Sequence, residues 1–134
     1  MVKTKTINES GKRKRAVARA TLKQGSGQVF INNKPLDLYT PKLSKARIQE
    51  PLILAGDVAK KLDFKITVRG GGISGQADAV RLAIAKCLSE HSPKLKDVFL
   101  EYDRQLLVAD VRRKEARKPN SQGQARAKRQ KSYR

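Results

Sequence analysis

Apolar and polar side chains alternate most cleanly over Phe64-Lys65-Ile66-Thr67-Val68, which predicts a strand running into Gly70-Gly71-Gly72. A second stretch has the same period. Ala16, Ala18, Ala20 and Leu22 form one small apolar face, and Arg13, Arg15, Val17, Arg19, Thr21 and Lys23 form the other. A period of two predicts a strand with a basic outer face, with a helix as the competing reading because alanine is the best helix former. Lys3–Ile7 alternates as well and reads as a first strand. Gln24-Gly25-Ser26-Gly27 is a turn signal and Gln28–Asn32 a short strand, so Arg15–Ile31 is expected to form a hairpin, closed by Asn32-Asn33.

Helical spacing takes over in three places. Thr40-Pro41 reads as an N-cap followed by proline at the first helical position, opening a helix over 41–49. Pro51 is expected to interrupt it and to start a second short helix over Pro51–Ala55 that stops at Gly56. In the longest helix Ile73, Ala77, Val80, Ile84, Cys87 and His91 recur every three or four residues, with Leu88 beside them and Gln76, Arg81, Lys86 and Glu90 opposite. Ser92-Pro93 ends it, and Lys94–Tyr102 predicts one further short helix. Leu106–Ala109 reads either as a last strand or as the anchor of the C-terminal segment. Strands followed by helices, with some parallel pairing, give an α+β two-layer sandwich.

Charge divides the chain more sharply than hydropathy does. Residues 111–134 carry ten Lys/Arg against Glu115, and Val111 is their only large aliphatic side chain. Such a segment buries too little apolar surface to offset the entropy of its own ordering, so it is expected to be a tail held by something outside the protein. Residues 1–23 carry eight cations and one anion, whereas 24–110 carry thirteen and ten, within a net charge of +19 over 134 residues. The division is into a nearly neutral body over 1–110 and an extended basic tail over 111–134, and the partner of so many cations is expected to be a polyanion, nucleic acid first among them. The single cysteine, Cys87, excludes an intrachain disulfide and a Cys-rich metal framework. No apolar stretch approaches a transmembrane span, and MVKTKTINES lacks the apolar run of a signal peptide. Aromatic residues make up only 4 %, too few for a base-stacking platform, so recognition is expected to rest on phosphates and shape.

Gly70-Gly71-Gly72-Ile73-Ser74-Gly75 formally matches the dinucleotide fingerprint G-x-G-x-x-G between a strand and a helix. A Rossmann unit needs a second strand ending in an acid about twenty residues on. Here Glu90 lies on the same helix and Pro93 comes directly after it. A tight strand-to-helix turn and a phosphate site for an RNA backbone at the helix N-terminus remain as readings. Lys12-Arg13-Lys14-Arg15 with Arg19 is the second basic cluster, a phosphate-contacting group with a solvated face as the alternative. Cys87 reads as a buried small hydrophobe and His91 as a structural or dipole-stabilising residue at a helix end. Asp97, Glu101, Asp103 and Asp110 gather near the root of the tail, where ion pairs within the protein are the default expectation.

The strings EPLILAG, VRGGGISGQADAVRLAIAKCL and DVRRKEARKPNSQGQARAKRQKSYR resemble the universal small-subunit ribosomal protein nine family over almost the whole chain, with the Ser-Tyr-Arg ending of its archaeal and eukaryotic branch. The resemblance implies the sandwich of the second domain of ribosomal protein five, with a left-handed crossover. It implies a structural, non-enzymatic protein of the small subunit head, in the cytoplasm, without cofactor or metal. Its implied partners are small-subunit ribosomal RNA, neighbouring head proteins and the peptidyl-site tRNA. The residues assigned to ribosomal RNA are Lys12, Arg13, Lys14, Arg15 and Arg19; Gly71, Gly72, Gln76 and Arg81; and, in the tail, Arg112, Arg113, Lys114, Arg117, Lys118, Arg126, Lys128, Arg129 and Lys131. By the resemblance Arg134, with Ser132 and Tyr133 beside it, approaches the tRNA anticodon stem-loop, and Tyr133 stands where the bacterial branch has lysine. A general nucleic-acid coat and a nucleotide-using enzyme at Gly70–Gly75 are the competing functions.

Overall fold

The computed structural model describes residues 6–39, 41–112 and 116–119. Strands β1 (Ile7–Arg13), β2 (Ala16–Gln24), β3 (Val29–Ile31) and β4 (Lys34–Pro35) precede helix α1 (Lys42–Ala55). Strand β5 (Leu62–Arg69) and helices α2 (Ile73–His91) and α3 (Pro93–Tyr102) complete the order. The sheet order is β1-β2-β5-β3-β4, antiparallel except for the β3–β5 pair. This is the α+β class expected, with a mixed sheet and three helices.

The period-two pattern decides which face is covered. Ala18 lies opposite Val68, Ala20 opposite Ile66 and Leu22 opposite Phe64, and all six are buried. Burying each of the larger side chains contributes about 1.5–3 kcal/mol. Helix α2 packs along β1 and β2, and α1 and α3 pack against α2. Small residues let α2 come close. A Cβ on Gly11 of β1 would stand 2.2 Å from the carbonyl oxygen of Ala79 and 2.7 Å from the nitrogen of Ala83, so only glycine fits where helix backbone crosses strand. Among the described residues nothing covers the opposite sheet face, which carries basic side chains.

The structure departs from the sequence expectations in several places. The first strand is β1, Ile7–Arg13, rather than 3–7, of which residues 3–5 lie outside the described residues. It pairs with β2, so Lys14-Arg15 is a hairpin tip. The expected Arg15–Ile31 hairpin is not formed, because β5 stands between β2 and β3. The Gln24–Gly27 turn wraps instead around Asp63, whose Oδ1 accepts the amides of Ser26, Gly27 and Gln28 at 2.9–3.1 Å. That carries the chain over the end of β5 and delivers β3 to its far side. Asn32 then extends the pairing, its side-chain amide donating to the Val68 carbonyl at 3.2 Å and its Oδ1 accepting the Val68 N–H at 2.9 Å.

Helix α1 runs unbroken through Pro51 instead of splitting in two. Ser44, Ile48, Pro51 and Ala55 form one buried face against the rest of the protein, and that packing outweighs the hydrogen bond that proline cannot donate. The helix starts at Lys42, with Pro41 just before it, and Thr40 lies outside the described residues. Leu106–Ala109 is not a strand. A 3-10 turn over Arg104–Leu106 places Leu106 wholly inside the core, which is the anchoring alternative.

Candidate nucleic-acid interface

Strand pairing brings the N-terminal basic cluster to the glycine turn. Arg13 pairs with Ala16 across the two-residue tip Lys14-Arg15, and Lys14 takes a positive φ of 54° to close it. Gly70 and Gly71 also have positive φ, 77° and 67°, and they press on this tip. A Cβ on Gly70 would lie 2.6 Å from the Arg15 carbonyl oxygen, and one on Gly71 3.0 Å from the Ala16 nitrogen. The close approach therefore requires glycine twice over. The Gln76 side chain steadies the turn by donating to the Gly70 carbonyl at 3.1 Å.

Between tip and turn opens a cleft of about 960 Å³, lined by Arg13, Lys14, Arg15, the 71–75 segment, Ala116 and Arg117. Three distant parts of the chain thus meet: the hairpin tip, the start of α2 and Ala116-Arg117. The first N–H groups of α2 have no acceptor within the helix and carry the positive end of its dipole. Lys14, Arg15 and Arg117 are exposed beside them. Among the described residues that line the cleft there is no carboxylate, thiol or imidazole, so what they offer is anion binding.

The open sheet face continues the basic surface. Lys12, Arg19 and Lys23 are exposed on β1 and β2, and Lys65 and Arg69 on β5. Register places Arg69 opposite Val17, which is itself opposite Lys12. Lys65 and Arg69 were missed by reading the sequence for clusters. The signal was there: the alternation that turns Phe64, Ile66 and Val68 inward turns these two outward.

Three assigned cations are engaged within the protein. Arg81 donates to Glu50 at 2.6 Å and to Asp103 at 3.2 Å, with its side chain only 13 % exposed. Arg13 pairs with Asp110 and approaches Asp78 at 3.8 Å. Arg112 is exposed but turns back onto Asp110 at 2.7 Å. Lys118 is exposed. Arg113, Lys114, Arg126, Lys128, Arg129, Lys131, Ser132, Tyr133 and Arg134 lie outside the described residues.

Acids and the lone thiol and imidazole take structural places. Asp103 and Asp110 are ion-paired as expected, whereas Asp97 and Glu101 are exposed on α3 and make no ion pair among the described residues. Cys87 is fully buried, and burial first, then the Glu9 and Glu90 carboxylates, push its thiol up to about 12. It stays protonated and inert. His91 is exposed at the end of α2. Among the described residues no helix is long and apolar enough to cross a membrane, and no group of His, Cys, Asp and Glu is arranged to hold a metal ion.

Residues 11–134 match the family model described as ribosomal protein S9/S16. The chain is 51 % identical over 133 residues to the small ribosomal subunit protein uS9 of Methanococcus maripaludis, covering 97 % of this chain and 99 % of that one. It is 48 % identical over 132 residues to the protein of the same name from Methanothrix thermoacetophila, with the same coverage. With the match running from Gly11 in β1 to residue 134, the chain belongs to the ribosomal protein S9/S16 family.

Proposed function

We propose that this protein is a structural, non-catalytic component of the small ribosomal subunit that binds its RNA through phosphates. The observation that carries the reading is the convergence at one cleft of the hairpin tip, the α2 N-terminus and Arg117. Lys12, Lys14, Arg15, Arg19, Lys65 and Arg69 extend that surface across the open sheet face. Gly71 and Gly72 present backbone N–H groups, and Gln76 holds their turn in shape. Arg13 and Arg81 act inside the protein, placing other cations rather than meeting phosphates themselves. The tail cations from Arg112 to Lys131 neutralise further phosphates and release counterions, which makes binding strong and salt-sensitive.

Finer points rest on the family resemblance. The protein sits in the head of the subunit, in the cytoplasm, beside other head proteins. Its fold is that of the second domain of ribosomal protein five, a likeness supported by the parallel β3–β5 pair joined through α1. The tail reaches the peptidyl-site tRNA, with Arg134 toward the anticodon stem-loop and Ser132 and Tyr133 beside it. An apolar groove at the far end of the molecule, lined by Val29, Phe30, Leu36, Leu52 and Ile53, supports contact with protein rather than RNA there.

Sedimentation of cell lysate through a sucrose gradient, before and after a high-salt wash, tests the assignment. Comigration with small subunits that survives the wash is expected. Absence from ribosomal fractions would overturn the reading in favour of a general nucleic-acid coat.

A further inference from the structure

The tail root poses an electrostatic problem. Arg117 lines the same cleft as Lys14 and Arg15, although like charges repel across so short a distance. Next to them, one acid is almost shielded from solvent. The Asp110 side chain is 8 % exposed, against 74 % for Arg112. Asp110 receives the guanidinium of Arg13 from a position 97 residues away. Its Oδ1 also accepts the backbone N–H of Arg112 at 2.9 Å, and its Oδ2 the Arg112 guanidinium at 2.7 Å. Arg13 in turn faces Asp78 of α2, which is held by Arg47 of α1 at 2.9 Å. Charges therefore alternate from α1 through α2 and β1 to the tail, in the order Arg47, Asp78, Arg13, Asp110, Arg112. Four residues before Asp110, Leu106 is sealed in the core.

We propose that Asp110 is a positioning residue: its ion pair with Arg13 sets the direction in which the tail leaves the body and lays Arg117 beside Lys14 and Arg15, so that RNA meets one pre-arranged cationic surface. The value of this arrangement for binding rests on the proposed RNA-binding role, whereas the geometry of the latch does not. Without Asp110, the tail root would swing away from the hairpin tip under charge repulsion. RNA would then have to bring the two segments together at its own cost in free energy. Charge alone makes the opposite forecast. Asp110→Asn adds one positive charge to the protein, so a purely electrostatic account expects tighter RNA binding, and the latch expects weaker binding.

The test uses the full-length chain with spin labels on Ser74→Cys and Ala116→Cys, both of which line the cleft. Cys87, buried and protonated, does not compete for the label. Without RNA, the label-to-label distance distribution is expected to be narrow in the parent protein and broad, shifted to longer distances, in Asp110→Asn. Arg13→Gln should broaden it equally, and the double variant no further, because the two residues act through one contact. An unchanged distribution in folded Asp110→Asn overturns the proposal. Should that variant lose its cooperative melt, Arg13→Gln decides by the same measure. Titration with purified small-subunit ribosomal RNA then separates the two claims. About tenfold weaker binding by Asp110→Asn, with the log–log salt slope unchanged, supports the positioning role. Tighter binding overturns it. Failure of the parent protein to bind this RNA overturns the proposed function and leaves the latch standing on the distance measurement alone.

Discussion

Replacing Gly11 by alanine is the sharpest probe of how the body carries its surface. The new Cβ would meet the Ala79 carbonyl oxygen at 2.2 Å and the Ala83 nitrogen at 2.7 Å, both backbone atoms of a buried helix that cannot rotate aside. Restoring an ordinary contact requires separating α2 from β1 by roughly 1 Å. A gap of that size forfeits about a quarter to a half of the dispersion attraction across it. A buried aliphatic side chain makes on the order of 40–60 contacts worth about 0.1–0.2 kcal/mol each, so at the middle of those ranges loosening even one such side chain costs about 2–4 kcal/mol. The figure agrees with the roughly 1–3 kcal/mol typical of overpacked cores. A loss near 3 kcal/mol should lower the melting temperature by about 12 °C in a domain of this size. The matched control is Gly72→Ala, whose Cβ would meet nothing within 4 Å and whose φ of −103° suits any residue. Thermal unfolding followed by circular dichroism at fixed salt compares the two. A Gly11→Ala loss within about 0.5 kcal/mol of the control would refute the close crossing of α2 over β1, since surface changes span about that range.

Four further outcomes are expected. Arg69→Ala or Arg117→Ala should reduce the slope of log affinity for small-subunit RNA against log salt by about 1 and leave unfolding unchanged. Arg81→Ala should do the reverse, costing about 2 kcal/mol of stability through Glu50 and Asp103 without changing the slope; equal slopes in all three variants would argue against the division between outer and inner cations. Glu9 is held above its ordinary 4.5, first by a hydrogen bond with the Glu90 carboxyl, then by burial and by Glu90's charge, with Lys86 opposing. Its contribution to stability is therefore complete below about pH 4.5 and fades as pH rises through the folded value, where two carboxylates face each other. Glu9→Gln should raise the melting temperature at pH 7 by an amount worth ~0.5 kcal/mol or less, and the gain should vanish near pH 4 in melts across that range. In the tail, Arg134→Glu should speed tRNA dissociation from the peptidyl site more than Arg134→Ala does, as read by filter binding on purified subunits. Equal effects would argue against a phosphate nearby.

Local patterns in the sequence were enough for the inner faces of β2 and β5 and for α2 from Ile73 to His91. Each depends on spacing among near neighbours, so the backbone period translates it directly into a face or a helix. The glycine turn was legible for the same reason, as a run joining a strand pattern to a helix pattern. Pairing was not. Gln24–Gly27 announces a turn whether β3 returns beside β2 or crosses β5, and the choice lies with Asp63, 35 to 37 residues further on, which binds two amides of that turn and that of Gln28 directly after it. Pro51 looks like a helix breaker until Ile48 and Ala55 are seen buried on either side of it. The fate of the cations was the least visible of all. Arg13 sits in the same run as Lys12, Lys14 and Arg15, yet it faces Asp110, while Lys65 and Arg69, outside any cluster, join the open face. A charge's sign belongs to its residue, whereas its partner depends on contacts between segments far apart in the chain. The sequence by itself therefore pointed to a polyanion as the partner, and only the tertiary structure decided which of the described cations are spent on ion pairs inside the protein.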